Sequence, residues 1–316
     1  MWEFSTDGSG ARWRAVESPV DGTYHDAAVT ANGPCAVAAG GSVVARAADG
    51  TWGVIVENGP SARGETLSAV DATDDGQRIW FAGANGALGC YEVAAGRRLD
   101  RSDPQGVTDA FGALAVAGPR GAEKLLLADG SGRVFPAAVS GSRLDWGPTS
   151  NPSGDTAVSA LDATPAGVGY AVDSNANVYR TTETEGWKRV GVESAQNSLY
   201  AVSAGADRVL VGGGNGRVFE GDRGGSAWTP YSLGDVTVRT LAAADGAVLA
   251  AGAGGALYSR QGDDWRRERW DGSKSINGVV AGEVPVAVGA DGLLLERAPA
   301  DGSTGSSAEA SGQTDT

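Results

Sequence analysis

A glycine-centred turn between two apolar stretches recurs along the whole chain. The clearest copy spans residues 211–219 and reads VGGGNGRVF. Its turn position, called the pivot below, recurs at Gly41, Gly86, Gly132, Ala176, Gly216, Gly255 and Gly292. Successive pivots are 45, 46, 44, 40, 39 and 37 residues apart by subtraction. A repeat of about 40–45 residues with strand-turn-strand content is typical of a β-propeller with one blade per repeat.

Each repeat predicts four strands, which we letter a to d from the channel outward. In the fifth repeat, residues 199–204 alternate as an inner strand a, and 208–211 form an apolar strand b before the pivot. Residues 217–220 give strand c, and the stretch around Trp228 gives strand d. Glycine suits the pivots because it adopts the positive φ of tight hairpins. Ala176 therefore predicts a slightly different turn in the fourth repeat.

The seventh repeat has no tryptophan strand of its own. Its strand c, 293–297, runs into the polar segment 299–316, which we predict to be a disordered acidic tail. An unassigned strand, residues 12–16, contains Trp13 and lies near the N-terminus. We therefore predict an all-β, seven-bladed propeller in one domain, residues 1–298, closed by this N-terminal strand, which removes two exposed sheet edges. Residues 2–4 resemble a competing strand c, so their place in the last blade stays open.

The composition is acidic and poor in lysine. The net charge is −14 and the pI about 4.5, and Lys124, Lys188 and Lys274 are the only lysines among 25 basic residues. An acidic surface that avoids lysine favours an extreme halophile, whose proteins stay soluble in concentrated salt through their net charge. A mesophile with an acidic surface is the alternative. Nucleic-acid binding requires a basic surface, which the sequence does not predict.

The sequence does not predict a secretion signal or a membrane helix. The N-terminal residues MWEFS do not begin a secretion signal, and no run approaches the roughly 18 apolar residues of a membrane helix. We expect a cytoplasmic protein without membrane insertion. Cys35 and Cys90 fall in strand patterns and are expected to be small buried residues rather than a disulfide.

The turns between strands c and d resemble degenerate Asp boxes, whose pattern is Ser/Thr-x-Asp-x-Gly-x-x-Trp. Residues 182–187 (TETEGW) and 7–13 (DGSGARW) approach it with altered spacing, while 48–52 (ADGTW) and 262–265 (GDDW) are shorter versions. The chain thus resembles BNR, sialidase-type propellers. It is most similar to the photosystem II assembly/stability-factor-like propellers and related haloarchaeal repeat proteins. That resemblance implies a binding platform or assembly aid.

Sites for catalysis or metal binding are weakly indicated. Asp71 and Asp162 occupy matching positions near the predicted channel mouth, where paired carboxylates could hold Ca²⁺ or perform acid–base chemistry. The simpler interpretation, which we favour, is a hydrogen bond to the neighbouring a–b turn. His25 is the only histidine, so a zinc site built from several histidines is excluded. The strand-a positions are too apolar to predict the arginine trio of a sialidase.

The longest predicted loops share one face of the propeller, where loops b–c and d–a meet. They span 57–66, 100–110 and 146–157, and loops on a rigid scaffold are natural binding elements. Tolerance of insertions explains their length equally well. Their candidate binding residues are Arg63, Glu65, Arg101, Asp103, Asp109 and Asn151.

We therefore predict a non-enzymatic scaffold that binds another protein, without a cofactor or metal. One alternative is a hydrolase or lyase, glycosidase- or sialidase-like, with a carboxylate- or Ca²⁺-based site at the channel mouth. The other is a small-ligand sensor that uses the loop-lined face.

Overall fold

Seven four-stranded antiparallel sheets form a closed ring, which confirms the predicted seven-bladed propeller. The computed structural model describes residues 12–181, 186–192, 196–222, 224–244 and 246–298. The innermost strands of successive sheets lie against each other around the ring, and the innermost strand of the last sheet lies against that of the first. No helix among these residues is long and apolar enough to cross a membrane.

The first six blades are each built from four consecutive strands. Blades 1 to 3 comprise β2 (Tyr24–Thr30), β3 (Gly33–Ala38), β4 (Val43–Arg46) and β5 (Trp52–Val56); β6 (Leu67–Ala72), β7 (Arg78–Gly83), β8 (Leu88–Glu92) and β9 (Arg97–Asp100); and β10 (Phe111–Ala117), β11 (Lys124–Asp129), β12 (Val134–Ser140) and β13 (Arg143–Trp146). Blades 4 to 6 comprise β14 (Val158–Ala163), β15 (Gly169–Asp173), β16 (Val178–Thr181) and β17 (Lys188–Arg189); β18 (Leu199–Ala204), β19 (Arg208–Gly213), β20 (Arg217–Asp222) and β21 (Trp228–Ser232); and β22 (Val238–Ala244), β23 (Ala247–Gly252), β24 (Leu257–Gln261) and β25 (Asp264–Arg267). Short 3₁₀ turns lie at Ala39–Gly41, Ala84–Gly86, Pro104–Gly106, Gly214–Gly216 and Ala253–Gly255.

The seventh blade combines both ends of the described chain. Its inner strands are β26 (Ile276–Val280), β27 (Val286–Gly289) and β28 (Leu294–Arg297), and its outer strand is β1 (Trp13–Ala15). Strand β1 pairs antiparallel with β28, with Trp13 opposite Arg297 and Ala15 opposite Leu295. The predicted closure is therefore confirmed. Residues 2–4 and the predicted tail 299–316 lie outside the described residues.

A single carboxylate links this closing blade to blade 1. Glu296 of β28 accepts hydrogen bonds from Arg46 Nε at 2.8 Å and from Trp52 Nε1 at 2.9 Å. Arg14 of β1 lies 3.6 Å from the other oxygen of the same carboxylate. Because Glu296 is almost fully buried, the charge-assisted bonds replace the water that it loses.

The pivots explain why glycine recurs at the b–c turns. Gly216 has a φ of 61°, and a Cβ there would lie 2.1 Å from the carbonyl oxygen of Gly234. Both the conformation and the close approach therefore require glycine. Ala176 adopts a similar positive φ of 64° without glycine. In that turn, Asp173 Oδ1 accepts the N–H groups of Asn175 and Asn177 at 2.9 and 3.0 Å.

The hydrophobic core lies between blades rather than in one central cluster. Between blades 2 and 3, for example, Trp80, Phe111 and Phe135 pack together, and the two phenylalanine rings meet edge to face at 5.8 Å. Cys35 and Cys90 are free and buried, as the sequence predicted.

Removal of the Trp13 side chain tests the closure. Trp13 is 2% exposed and packs among residues of blades 6 and 7. We expect Trp13→Ala to lower the free energy of unfolding by about 3–5 kcal/mol, because it leaves a large cavity at the seam. Denaturant unfolding followed by circular dichroism measures the loss.

Glu17→Ala, two residues beyond the same strand, is the control, since Glu17 is exposed and a small effect is expected. Equal unfolding midpoints for Trp13→Ala and the unsubstituted protein would show that β1 does not close the ring.

Candidate functional site

The inner strands enclose a central channel with a cavity of about 220 Å³. Most of its lining consists of small or aliphatic residues, as expected where seven strands converge. The polar residues that line the cavity include His25, Asp26, Asp71, Asp162, Arg239 and Asn277.

Asp71 and Asp162 clamp neighbouring blades together. Asp71 Oδ1 accepts the N–H of the next residue at 2.7 Å, and its Oδ2 accepts the N–H of Val116 in blade 3 at 2.7 Å. Asp162 repeats this arrangement with the next residue and with Ala204 of blade 5, again at 2.7 Å. Each carboxylate therefore bonds to the inner strand of the next blade rather than to its own a–b turn, the partner expected from sequence.

Asp26 is a third channel carboxylate, which the sequence reasoning missed. Its Oδ2 accepts the N–H of Val70 in blade 2 at 3.0 Å. Strand registers place Asp26 two residues earlier in its strand than Asp71, so a search for matching positions overlooks it. The register equivalent of Asp26 in blade 6 is Thr240, whose Oγ1 accepts the N–H of Val279 at 3.2 Å. In blades 1 and 6, therefore, the clamp requires a hydrogen-bond acceptor at this position rather than aspartate itself.

Burial in the channel raises the pKa values of these carboxyl groups. Burial raises the pKa of Asp26 to about 7 and that of Asp162 to about 6, although backbone hydrogen bonds oppose the shift. Burial, followed by the charge of Asp162, raises the pKa of Asp71 well above its ordinary value. Burial also lowers the pKa of His25. No group of three or more His, Cys, Asp or Glu side chains that could hold a metal ion occurs within the described ranges.

The other candidate region is the loop face, which we define as residues 57–66, 100–110 and 146–157 together with the pivot turns. Its loops are tied to the pivots by backbone hydrogen bonds. The N–H of Gly59 donates to Gly41 O at 2.7 Å, and the N–H of Gly86 donates to Asp109 O at 3.0 Å. Asp103 N–H also donates to Gly86 O at 2.9 Å. The first two long loops are therefore fixed to the blades they follow.

Two of the predicted face residues meet across neighbouring loops. The guanidinium of Arg63 lies 3.6 Å from the carboxylate of Asp103. Asp109 is exposed and forms an ion pair with Arg133, which follows the pivot of blade 3. The face thus presents charges of both signs.

The remaining predicted residues of the loop face, Asn151, Glu65 and Arg101, do not form a cluster in the described part of the chain. Asn151 is exposed in the third long loop, and Glu65 is half-buried with no hydrogen-bond partner for Oε2 among the described residues. Arg101 directs its guanidinium away from the loop face. Its Nη2 donates to the carbonyl of Ser142, in the outer hairpin of blade 3, at 3.0 Å. The sequence could not show this because the direction depends on how the two blades pack.

The raised carboxyl pKa values predict how stability varies with pH. Between the unfolded pKa of about 4 and the folded value near 7, the native state holds the Asp26 proton more tightly. This residue's contribution to the free energy of unfolding therefore falls as pH rises through that window, by at most about 1.4 kcal/mol per pH unit. Asp26→Thr keeps the acceptor seen at Thr240 but removes the titrating group.

We expect a flatter profile for Asp26→Thr when denaturant unfolding is measured in steps from pH 4 to 8. Asp207→Thr, in an exposed a–b turn, is the matched control and should follow the unsubstituted protein. Parallel profiles for all three proteins would contradict the assigned role of Asp26.

Comparisons with known proteins support the fold. No family model and no curated protein matches the sequence. Among solved structures, YCF48 bound to D1 peptide is 15% identical, with a TM-score of 0.69 over 94% of this chain and 100% of that one. The WD40 repeats of RRP9 are 15% identical, with a TM-score of 0.74 over 91% and 98%. Virginiamycin B lyase from Staphylococcus aureus is 12% identical, with a TM-score of 0.75 over 90% and 98%. At these identities the likeness shows the fold alone: the chain is a seven-bladed β-propeller, similar in architecture to a peptide-bound protein, a WD40 protein and a lyase.

Proposed function

We propose that this propeller is a non-enzymatic scaffold that binds another protein through its loop face. The observation that carries the proposal is the anchoring of the loops that follow blades 1 and 2. Both are hydrogen-bonded to the pivots and present exposed charged groups. Such a surface is formed before a partner arrives, so little loop ordering opposes binding.

The backbone of these loops supports a preformed surface. Asn58, Ala62, Asp103 and Gln105 all have positive φ values between 53° and 59°. Non-glycine residues adopt this region only when the surrounding structure compensates its cost. Pro104, between two of them, is buried. The loops are therefore held in specific conformations, as a docking surface requires.

The comparisons are consistent with a protein partner but do not identify one. YCF48 was solved with a D1 peptide, and we extend peptide or protein binding to this chain as part of the proposal. The proposed setting is a salt-rich cytoplasm, for which the net charge of −14 and the scarcity of lysine are the supporting observations. We also propose that the turns between strands c and d are degenerate Asp boxes.

The alternative, a hydrolase or lyase in the channel, is favoured less by the geometry. The similarity to a lyase shows only the shared fold. Asp71 and Asp162 each direct both oxygens to backbone N–H groups. Those bonds would have to break before either carboxylate could serve a substrate.

The test compares matched charge changes on the two faces. Asp109→Lys with Asn151→Lys alters the loop face, whereas Asp207→Lys with Asn32→Lys makes the same change in exposed turns at the opposite face. Partners captured from source cells in concentrated KCl are identified by mass spectrometry, and their affinity for each variant is measured. We expect the loop-face variant to bind at least about tenfold more weakly.

The opposite-face variant should retain the affinity of the unsubstituted protein. Equal retention by both variants, or failure to recover any stoichiometric partner, would contradict binding through the loop face.

A further inference from the structure

A second cavity, of about 350 Å³, lies between the outer parts of blades 2 and 3. We call it the rim groove and define it by Trp80, Cys90, Leu99 and Leu144 with the arginines around them. Trp80, Cys90 and Leu99 stand in register across β7, β8 and β9 and form an apolar floor. The hairpin β12–β13 of blade 3 supplies the opposite wall.

Arginines converge on this groove in a chain whose net charge is −14. The carboxylates that pair with them among the described residues are Glu92, Glu123 and Asp145. Positive charge therefore exceeds negative charge at the groove. The lining arginines are Arg78, Arg97, Arg101, Arg120 and Arg143.

Glu92 shows how strongly this environment favours an anion. Its Oε1 accepts from Arg78 and Arg120 at 3.0 Å each, and its Oε2 accepts from Arg97 at 2.8 Å. Burial acts to raise the pKa of Glu92, but the hydrogen bonds from Arg120, Arg78 and Arg97 outweigh it and lower the pKa to about 2. One buried carboxylate is thus held as an anion beside the cavity.

Two guanidiniums of the lining are not engaged by that carboxylate. Arg101 donates to the carbonyl of Ser142 at 3.0 Å. Arg143 is 81% exposed and lies 3.1 Å from Asp145, an exposed ion pair of the kind that contributes little. Both guanidiniums are therefore available to a carboxylate that enters the groove.

We propose that the rim groove is a binding site for a small carboxylate with an apolar body. The apolar part packs on Trp80 and Leu99, and the carboxylate is held by Arg101 and Arg143, the two lining arginines that do not bond to Glu92. The cavity volume is in the range of small-ligand sites, and bidentate arginines match carboxylate geometry. The site is separate from the proposed protein-binding function of the loop face, and either can fail without the other.

The test uses benzoate as probe and benzamide as its uncharged control. The indole N–H signals of the nine tryptophans are followed by ¹H–¹⁵N NMR during titration, with Trp80 assigned from Trp80→Phe. We expect a saturable shift of the Trp80 signal with benzoate and none with benzamide.

Arg101→Gln with Arg143→Gln should weaken benzoate binding at least about tenfold, because two charge-assisted contacts are lost. The matched control is Arg266→Gln with Arg267→Gln, which removes two exposed arginines from the outer strand of blade 6, outside the groove, and should leave the affinity unchanged.

Three outcomes would overturn the proposal. They are a linear shift without saturation, equal effects of benzoate and benzamide, and equal binding by both double variants. A Trp80 shift caused by penta-glutamate but not by benzoate would also overturn it, because the groove would then recognise an acidic protein segment.

Discussion

The close approach of each glycine pivot to the loop beyond its blade is the constraint on which this structure depends. At Gly216 and Gly41 the backbone of the following d–a loop occupies the space in which a Cβ would lie. The glycine therefore does more than reverse the chain between strands b and c. It lets the d–a loop pack against the turn, which sets where the next blade begins and holds the loop face in place. The contact between pivot and d–a loop therefore supports both the fold and the proposed docking surface.

The ring could be predicted from sequence because its evidence is local and repeated. Pivots, apolar runs and tryptophan strands can be counted, and the orphan strand at Trp13 matched the strand missing from the seventh repeat. The contacts of the candidate sites could not be predicted in this way. Asp71 and Asp162 were found by their matching positions, but their partners belong to other blades. Asp26 was missed because it occupies a different register position.

The rim groove could not be predicted from the sequence either, because it also depends on contacts between two blades. Its floor comes from three strands of blade 2, and its opposite wall from the outer hairpin of blade 3. In the sequence, Trp80, Leu99 and Arg143 are separate residues with no shared motif. Only the cross-strand register and the packing of two blades bring them to one cavity. The sequence repeat thus predicts the fold, but it does not predict the side-chain contacts between neighbouring blades.

The seam between β1 and β28 also imposes an order on how the molecule is made. Blades 1 to 6 each use a continuous stretch of chain, so the four strands of each are all present once that stretch has been synthesised. Blade 7 needs a strand from the beginning and three from the end, so the Trp13 strand must wait while more than 250 intervening residues are synthesised. During that interval blade 1 has no neighbour on one side. The ring of blades therefore closes only after β28 has been synthesised and can pair with β1.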